Sequence, residues 1–164
     1  MNKLYLLIGG NEGNRFSHLK QAVANIELFC GELLMRSSLY ETAPWGKTDQ
    51  PAFLNQALLI QTSLDAISVM KNILQIEENM GRKRTEKYGS RIIDIDILFF
   101  NSDILQLPQL KIPHPEIQNR RFVLVPMDEI APAFTHPVFH KTIHELLAEC
   151  ADQLSVKKII EYEP

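Results

Sequence analysis

Two acids sit where a buried strand ordinarily has none. In RIIDIDILFF (91–100), Asp94 and Asp96 interrupt a run of isoleucine, leucine and phenylalanine. Side chains alternate across a strand, so Ile93, Ile95, Ile97 and Phe99 share one face; Ile92, Asp94, Asp96, Leu98 and Phe100 share the other. The two carboxylates then point the same way, roughly 6.5–7 Å apart along the strand. Like charges in a half-dry setting repel and lose hydration, so a positive partner belongs between them. Immediately upstream, GRKRTEKYGSR (81–91) holds Arg82, Lys83, Arg84, Lys87 and Arg91 against a single acid, Glu86. A solvated basic loop and a structural salt bridge explain these residues separately. Their adjacency suits another chemistry, in which carboxylates hold magnesium and guanidinium groups hold phosphate oxygens in pairs. Two Mg²⁺ about 3.5–4 Å apart could clamp both ends of an in-line displacement.

Other residues extend this picture. Glu77 falls within the apolar stripe of Met70, Ile73, Leu74 and Met80 on a helix expected near 65–80. Its carboxylate lies either at the edge of that stripe or against a polar ligand such as a ribose hydroxyl. LKIPHPEIQNRRFVLVP (110–126) gathers His114, Asn119, Arg120, Arg121 and Phe122, which suits phosphate binding beside a stacking ring, or a structural turn. Phe53 and Asn55 share a strand face, one a stacking surface and the other a two-way hydrogen-bonding amide.

Several features do not carry chemistry. LIGGNEGN (7–14) matches no dinucleotide or P-loop pattern and reads as a strand-to-helix turn. His136, His140 and His144 are spaced by four, but Pro137 interrupts them and no further ligand completes a zinc set, so they are read as surface histidines. Ser37 and Ser38 lack a partner that would make either a nucleophile.

The elements that must position the acids follow from pattern. Strands are expected at 3–9, 33–43, 53–62 and 91–100, with helices at 15–30 and 63–81 closed by Gly31 and Gly81. The order β-α-β-β-α-β predicts an α+β fold with a ferredoxin-like core. The proline-punctuated remainder, with a short helix near 141–151, reads as an irregular C-terminal extension. At 164 residues, 45% hydrophobic and 23% charged, the chain is expected to form one domain over 1–164. A net charge of −3 argues against a nucleic-acid partner, and the short apolar N-terminus against a membrane. Cys30 and Cys150 read as reduced thiols of a cytoplasmic protein.

The motifs together resemble a known family. YGSRIIDIDILFF, with its R-x-x-D-x-D core, is similar to the signature of 6-hydroxymethyl-7,8-dihydropterin pyrophosphokinases. IGGN, YETAPWG…DQPAFLNQA, IEENMGRKR and PHPEIQNRRFVLVPMDEIAP follow the same family in order over nearly the whole chain. The resemblance implies transfer of the pyrophosphoryl group of ATP to 6-hydroxymethyl-7,8-dihydropterin, with two Mg²⁺ ions and release of AMP, in folate biosynthesis. It implies Asp94 and Asp96 as metal ligands and Arg82 and Arg91 as catalytic arginines. Glu77, Arg84, His114 and Arg120 would contact ATP; Thr42, Ala43, Trp45, Phe53, Asn55 and Phe122 would bind the pterin. A monomer is expected. Gly10 departs from the serine usual in the family, a change expected to matter little beyond turn geometry. Tyr88, Gln109 and Pro115 stand where some members carry tryptophan, arginine and tyrosine. A metal-dependent nuclease and a non-catalytic nucleotide sensor are the alternatives, and AMP release from Mg-ATP with and without reduced pterin separates them.

Overall fold

In the computed structural model, which describes residues 1–82 and 89–160, β1 (Asn2–Gly10) lies between β4 (Phe53–Thr62) and β5 (Asp94–Phe100), antiparallel to both. A central strand is covered on both faces, which accounts for the unbroken apolar run of its sequence. Two short strands share the far edge of β4: β2 (Glu32–Arg36) and β3 (Tyr40–Thr42). A last strand, β8 (Val156–Lys158), pairs with β3, giving the order β5-β1-β4-β3-β8. A separate two-stranded ribbon, β6 (Leu105–Gln106) and β7 (Lys111–Ile112), follows β5.

Helices α1 (Arg15–Phe29) and α2 (Ala66–Asn79) cover one face of the sheet. Leu4, Leu6, Ile8, Leu54, Leu58, Ile60 and Ile95 meet Leu19, Ile26, Val69 and Ile73 there. Each helix begins on a side chain that accepts a backbone N–H, Asn14 from Ser17 and Asp65 from Ser68. Gly81, at φ +91, ends the second as its sequence predicts. On the other face, α3 (Arg121–Ile130) and α4 (Ile143–Glu149) pack Leu124, Met127, Ile143 and Leu146 against Tyr5, Leu7, Ala57 and Phe99. They cover part of that face; the rest, where Gly9, Asn55, Asp94 and Asp96 lie, borders the cavity described below. No helix among the described residues is long and apolar enough to cross a membrane.

The structure corrects the sequence reading at four places. The strand expected over 33–43 is two strands, because the Ser37 hydroxyl accepts from the Ala57 N–H at 2.9 Å and takes the place of a ladder carbonyl. In β5, a register shift opposite Tyr5/Leu6 leaves Leu98 as an extra residue, so Phe99 joins Leu98 on the α3 side while Phe100 turns to the α1–α2 side. Downstream of 120, the chain is helical straight through Pro126. The lost hydrogen bond of that proline is outweighed by burying Val123, Leu124, Met127 and Ile130 along one stripe. Finally, His136 is not a surface residue: it is 3% exposed, its Nδ1 accepts from the N–H groups of Val138 and Phe139, and its ring meets Phe99 edge-on. His144 is exposed and pairs with Asp128 at 2.9 Å.

Candidate active site

One cavity of about 870 Å³ opens over the exposed part of the sheet and is bounded by β1, β3, β4, β5, α2 and the start of α3. Asp94 and Asp96 lie side by side on its floor, on one face of β5 as the alternation predicts. Asp94 already has cationic partners: Arg82 Nη1 donates to Oδ1 at 2.8 Å and Arg91 Nη1 to Oδ2 at 3.0 Å. Among the described residues, none donates a hydrogen bond to the Asp96 carboxyl. Burial, reinforced by the charge of Asp94, pushes its carboxyl up to about 8, against the pull of Arg120 and Arg91. Two adjacent carboxylates, one of them raised by burial and by its neighbour's charge, fit a hard divalent ion. Among the described residues no group of three or more His, Cys, Asp or Glu could hold a metal. The donor set therefore suits an ion that completes its shell with ligand oxygens and water, as magnesium does.

Glu77 owes its place in an apolar stripe to the edge of the sheet. β5 is an edge strand, and the Ile95 N–H, which points away from β1, donates to Glu77 Oε2 at 2.8 Å. Arg82 donates to the same oxygen. Burial raises the Glu77 carboxyl above its ordinary range, with Arg82 and the Ile95 N–H opposing. At 3% exposure the side chain is no stripe-edge residue, yet it also borders the cavity.

The second half of the cavity is aromatic and amide-lined. Phe53 and Asn55 face it from β4, Thr42 from β3, Trp45 from the following loop and Phe122 from the first turn of α3. Asn55 Nδ2 donates to Thr42 Oγ1 at 2.7 Å, which fixes the amide plane. That amide stands on bare backbone: a Cβ at Gly9 would lie 2.0 Å from Asn55 Oδ1. Gly10 is equally tight, since a Cβ there would lie 2.2 Å from the Ile92 carbonyl oxygen. The glycine at position 10, expected to matter little beyond turn geometry, thus also allows this close backbone approach to Ile92. The Arg120 guanidinium stacks 4.5 Å over Trp45 and 5.7 Å from Phe122, and that of Arg91 lies 5.9 Å over Phe53. Asn11 ties the flanking loops together. Its Oδ1 accepts from the Arg91 N–H at 2.9 Å, and its amide donates to Gln50 and to the Pro51 carbonyl.

His114 hangs from the Leu98 carbonyl by its N–H, and its Nδ1 accepts from the Glu116 N–H at 3.1 Å. The neutral ring therefore carries its proton on Nε2, a donor available to a ligand. Burial, with Arg120 beside it, lowers its pKa to about 4. For a base depressed on folding, the stabilisation is complete above the unfolded value of about 6.5 and is lost as pH falls toward 4. Thermal melts between pH 7 and 4 should show wild type losing more stability than His114→Asn, which keeps an acceptor but does not titrate. Parallel curves would refute the assignment.

The structure thus brings together in one cavity every residue to which the resemblance assigns a role except Arg84, which, like Tyr88, lies outside the described residues. Asn119 and Arg121, gathered with His114 and Arg120 in the sequence, do not line it: the Asn119 amide donates to Glu116 and the Arg121 N–H to Asp152. Sequence reasoning does not single out Pro108, Leu110 and Lys111, which line the cavity together with Met70, Ile73 and Leu74. The sequence signal for this wall is the α2 stripe, which reads as core; in fact Leu74 is 42% exposed.

The family model of 7,8-dihydro-6-hydroxymethylpterin-pyrophosphokinase (HPPK) matches residues 5–132. The chain belongs to the HPPK family. Among its relatives, the 2-amino-4-hydroxy-6-hydroxymethyldihydropteridine pyrophosphokinase of Aquifex aeolicus is 37% identical over 149 residues, covering 91% of this chain and 92% of the relative. The protein of the same name from Bacillus subtilis is 42% identical over 130 residues, covering 79% and 78%. The wild-type Plasmodium falciparum HPPK-DHPS crystal structure with pteroate superposes with a TM-score of 0.75 at 20% identity, over 90% of this chain. The chain spans only 42% of that larger protein, and at this identity the likeness concerns the HPPK fold alone.

Proposed function

We infer that the cavity holds ATP and a reduced pterin together and that the chain is a pyrophosphokinase of folate biosynthesis. It transfers a pyrophosphoryl group from ATP to 6-hydroxymethyl-7,8-dihydropterin. The observation that carries this reading is the joining, in one cavity, of Asp94 and Asp96 to the aromatic and amide side chains of Phe53, Asn55 and Phe122. The hydroxymethyl oxygen bonds to the β-phosphorus, the bond from that phosphorus to the oxygen of the α-phosphate breaks, AMP leaves, and the hydroxyl proton is released.

Asp94 and Asp96 would hold magnesium, two ions on this reading, which when bound would supply charge neutralisation of the polyphosphate. Arg82 and Arg91, which pair with Asp94 in the ligand-free site, are placed to meet the migrating group, and exclusion of water keeps the pterin as the acceptor. Arg120, Arg84 and the His114 Nε2–H hold phosphate oxygens, while Glu77 holds the nucleotide end. The pterin lies between Phe53 and Phe122, with Asn55 and the turn from Thr42 through Ala43 to Trp45 reading its polar edge. The order β5-β1-β4 with β2 and β3 beyond it supports a ferredoxin-like core, and we read 1–164 as one domain, acting as a monomer in the cytoplasm. Incubation with Mg-ATP should release AMP only when reduced pterin is present. Release without pterin, or release of ADP, defeats the reading.

A further inference from the structure

Glu129 lies outside the cavity, yet it joins two of the elements that carry the proposed pterin contacts. Near the end of α3, its Oε1 accepts from the Tyr40 hydroxyl at 2.5 Å. Its Oε2 accepts from the Ser38 N–H at 2.9 Å and from the Ser38 hydroxyl at 3.0 Å. Although burial works against it, these hydrogen bonds hold the carboxyl below its ordinary range, so it accepts as a carboxylate.

What the clamp fixes follows from register. On β3, Tyr40 pairs with Asn55 and Thr42 with Phe53, so the anchored tyrosine lies opposite the amide proposed to read the ring. On α3, Phe122 precedes Glu129 by seven residues, two turns along one helix face, about 10.5 Å apart on the axis. One carboxylate therefore ties the helix that carries a stacking wall to the strand that carries Thr42 and pairs with Asn55. β3 is only three residues long and has β4 and β8 as sheet neighbours. Ladder bonds act in the plane of the sheet, whereas Glu129 reaches Tyr40 from the helix layer above it.

We propose that Glu129, through Tyr40 and Ser38, is a positioning residue that sets the spacing between Phe122 and the Thr42–Asn55 pair and thereby the affinity for the pterin ring. This rests on reading the aromatic half of the cavity as the pterin site. None of the three residues borders the cavity, so an effect on binding must act through geometry.

Tyr40→Phe, which removes one oxygen, and Glu129→Gln, which loses an acceptor, test the proposal separately and combined. Each is titrated with fluorescent 6-hydroxymethylpterin in the presence of Mg²⁺ and α,β-methylene-ATP, and with the nucleotide alone by calorimetry. The pterin Kd should rise about tenfold or more, the size expected when a contact shifts by under an ångström. The nucleotide Kd should stay within about twofold, and the double variant should be no worse than the poorer single one, as for residues acting as a unit. A lower melting temperature with unchanged pterin Kd, or equal weakening of both ligands, overturns it. If Glu129→Gln fails to fold, Tyr40→Phe decides alone. A wild type that binds the nucleotide but no pterin defeats the reading of the cavity itself, and this inference with it.

Discussion

Asp96→Asn is expected to lower kcat, at saturating Mg²⁺, ATP and pterin, by about a thousandfold or more, equivalent to about 4 kcal/mol of lost transition-state stabilisation. The amide is isosteric but cannot share a divalent charge. The ligand-free protein should tolerate the change. Asp96 lies next to Asp94, and its carboxyl is raised to about 8 by burial first and by that neighbour second. A neutral side chain removes the repulsion without opening a cavity. Circular dichroism and the melting temperature should therefore match or exceed wild type, and steady-state kinetics should register the loss. Turnover within tenfold of wild type would remove Asp96 from the metal site.

Arg82→Ala should separate two roles that one side chain holds in succession. Before ligands bind, Arg82 pairs with both Glu77 and Asp94 at 12% side-chain exposure. Removing it deprives a buried carboxylate of its countercharge, and stability should fall by up to about 3 kcal/mol, the lower end for a broken buried pair. During turnover, Arg82 would leave these acids for the migrating pyrophosphoryl group. A contact made mainly in the transition state lowers kcat, so a loss of about 10²–10³-fold is expected with nucleotide Kd changed by less than about threefold. Adding Glu77→Gln should restore much of the melting temperature and none of the turnover. If calorimetry finds weakened nucleotide binding and kinetics find kcat intact, Arg82 is a ground-state contact.

The floor of the site is legible in the sequence because strand periodicity is rigid. Asp94 and Asp96 share a face, as do Phe53 and Asn55, whatever packs around them, since a strand cannot twist one side chain past its neighbour. The same rule misplaces Phe99 and Phe100, because an extra residue at Leu98 resets the alternation and only pairing with β1 creates that bulge. Gly9 shows the opposite limit. Its spelling reads as a turn, whereas its task is to leave room for the Asn55 amide from the neighbouring strand.

What tertiary structure alone decided is who meets whom across long separations. Glu77 looks misplaced in an apolar helix stripe until β5 becomes an edge strand whose Ile95 N–H needs an acceptor. Pro126 argues against a helix locally and loses to the burial of its neighbours against a sheet face that the sequence of α3 does not contain. His136 reads as a surface residue until the aromatic ring of Phe99 closes over it. The chain thus wrote down which side chains carry charge and which strand face they occupy, for those are properties of adjacent residues. It could not write down the cavity, because a cavity is the space left between elements, and its walls here come from positions more than a hundred residues apart, such as Gly9 and Phe122.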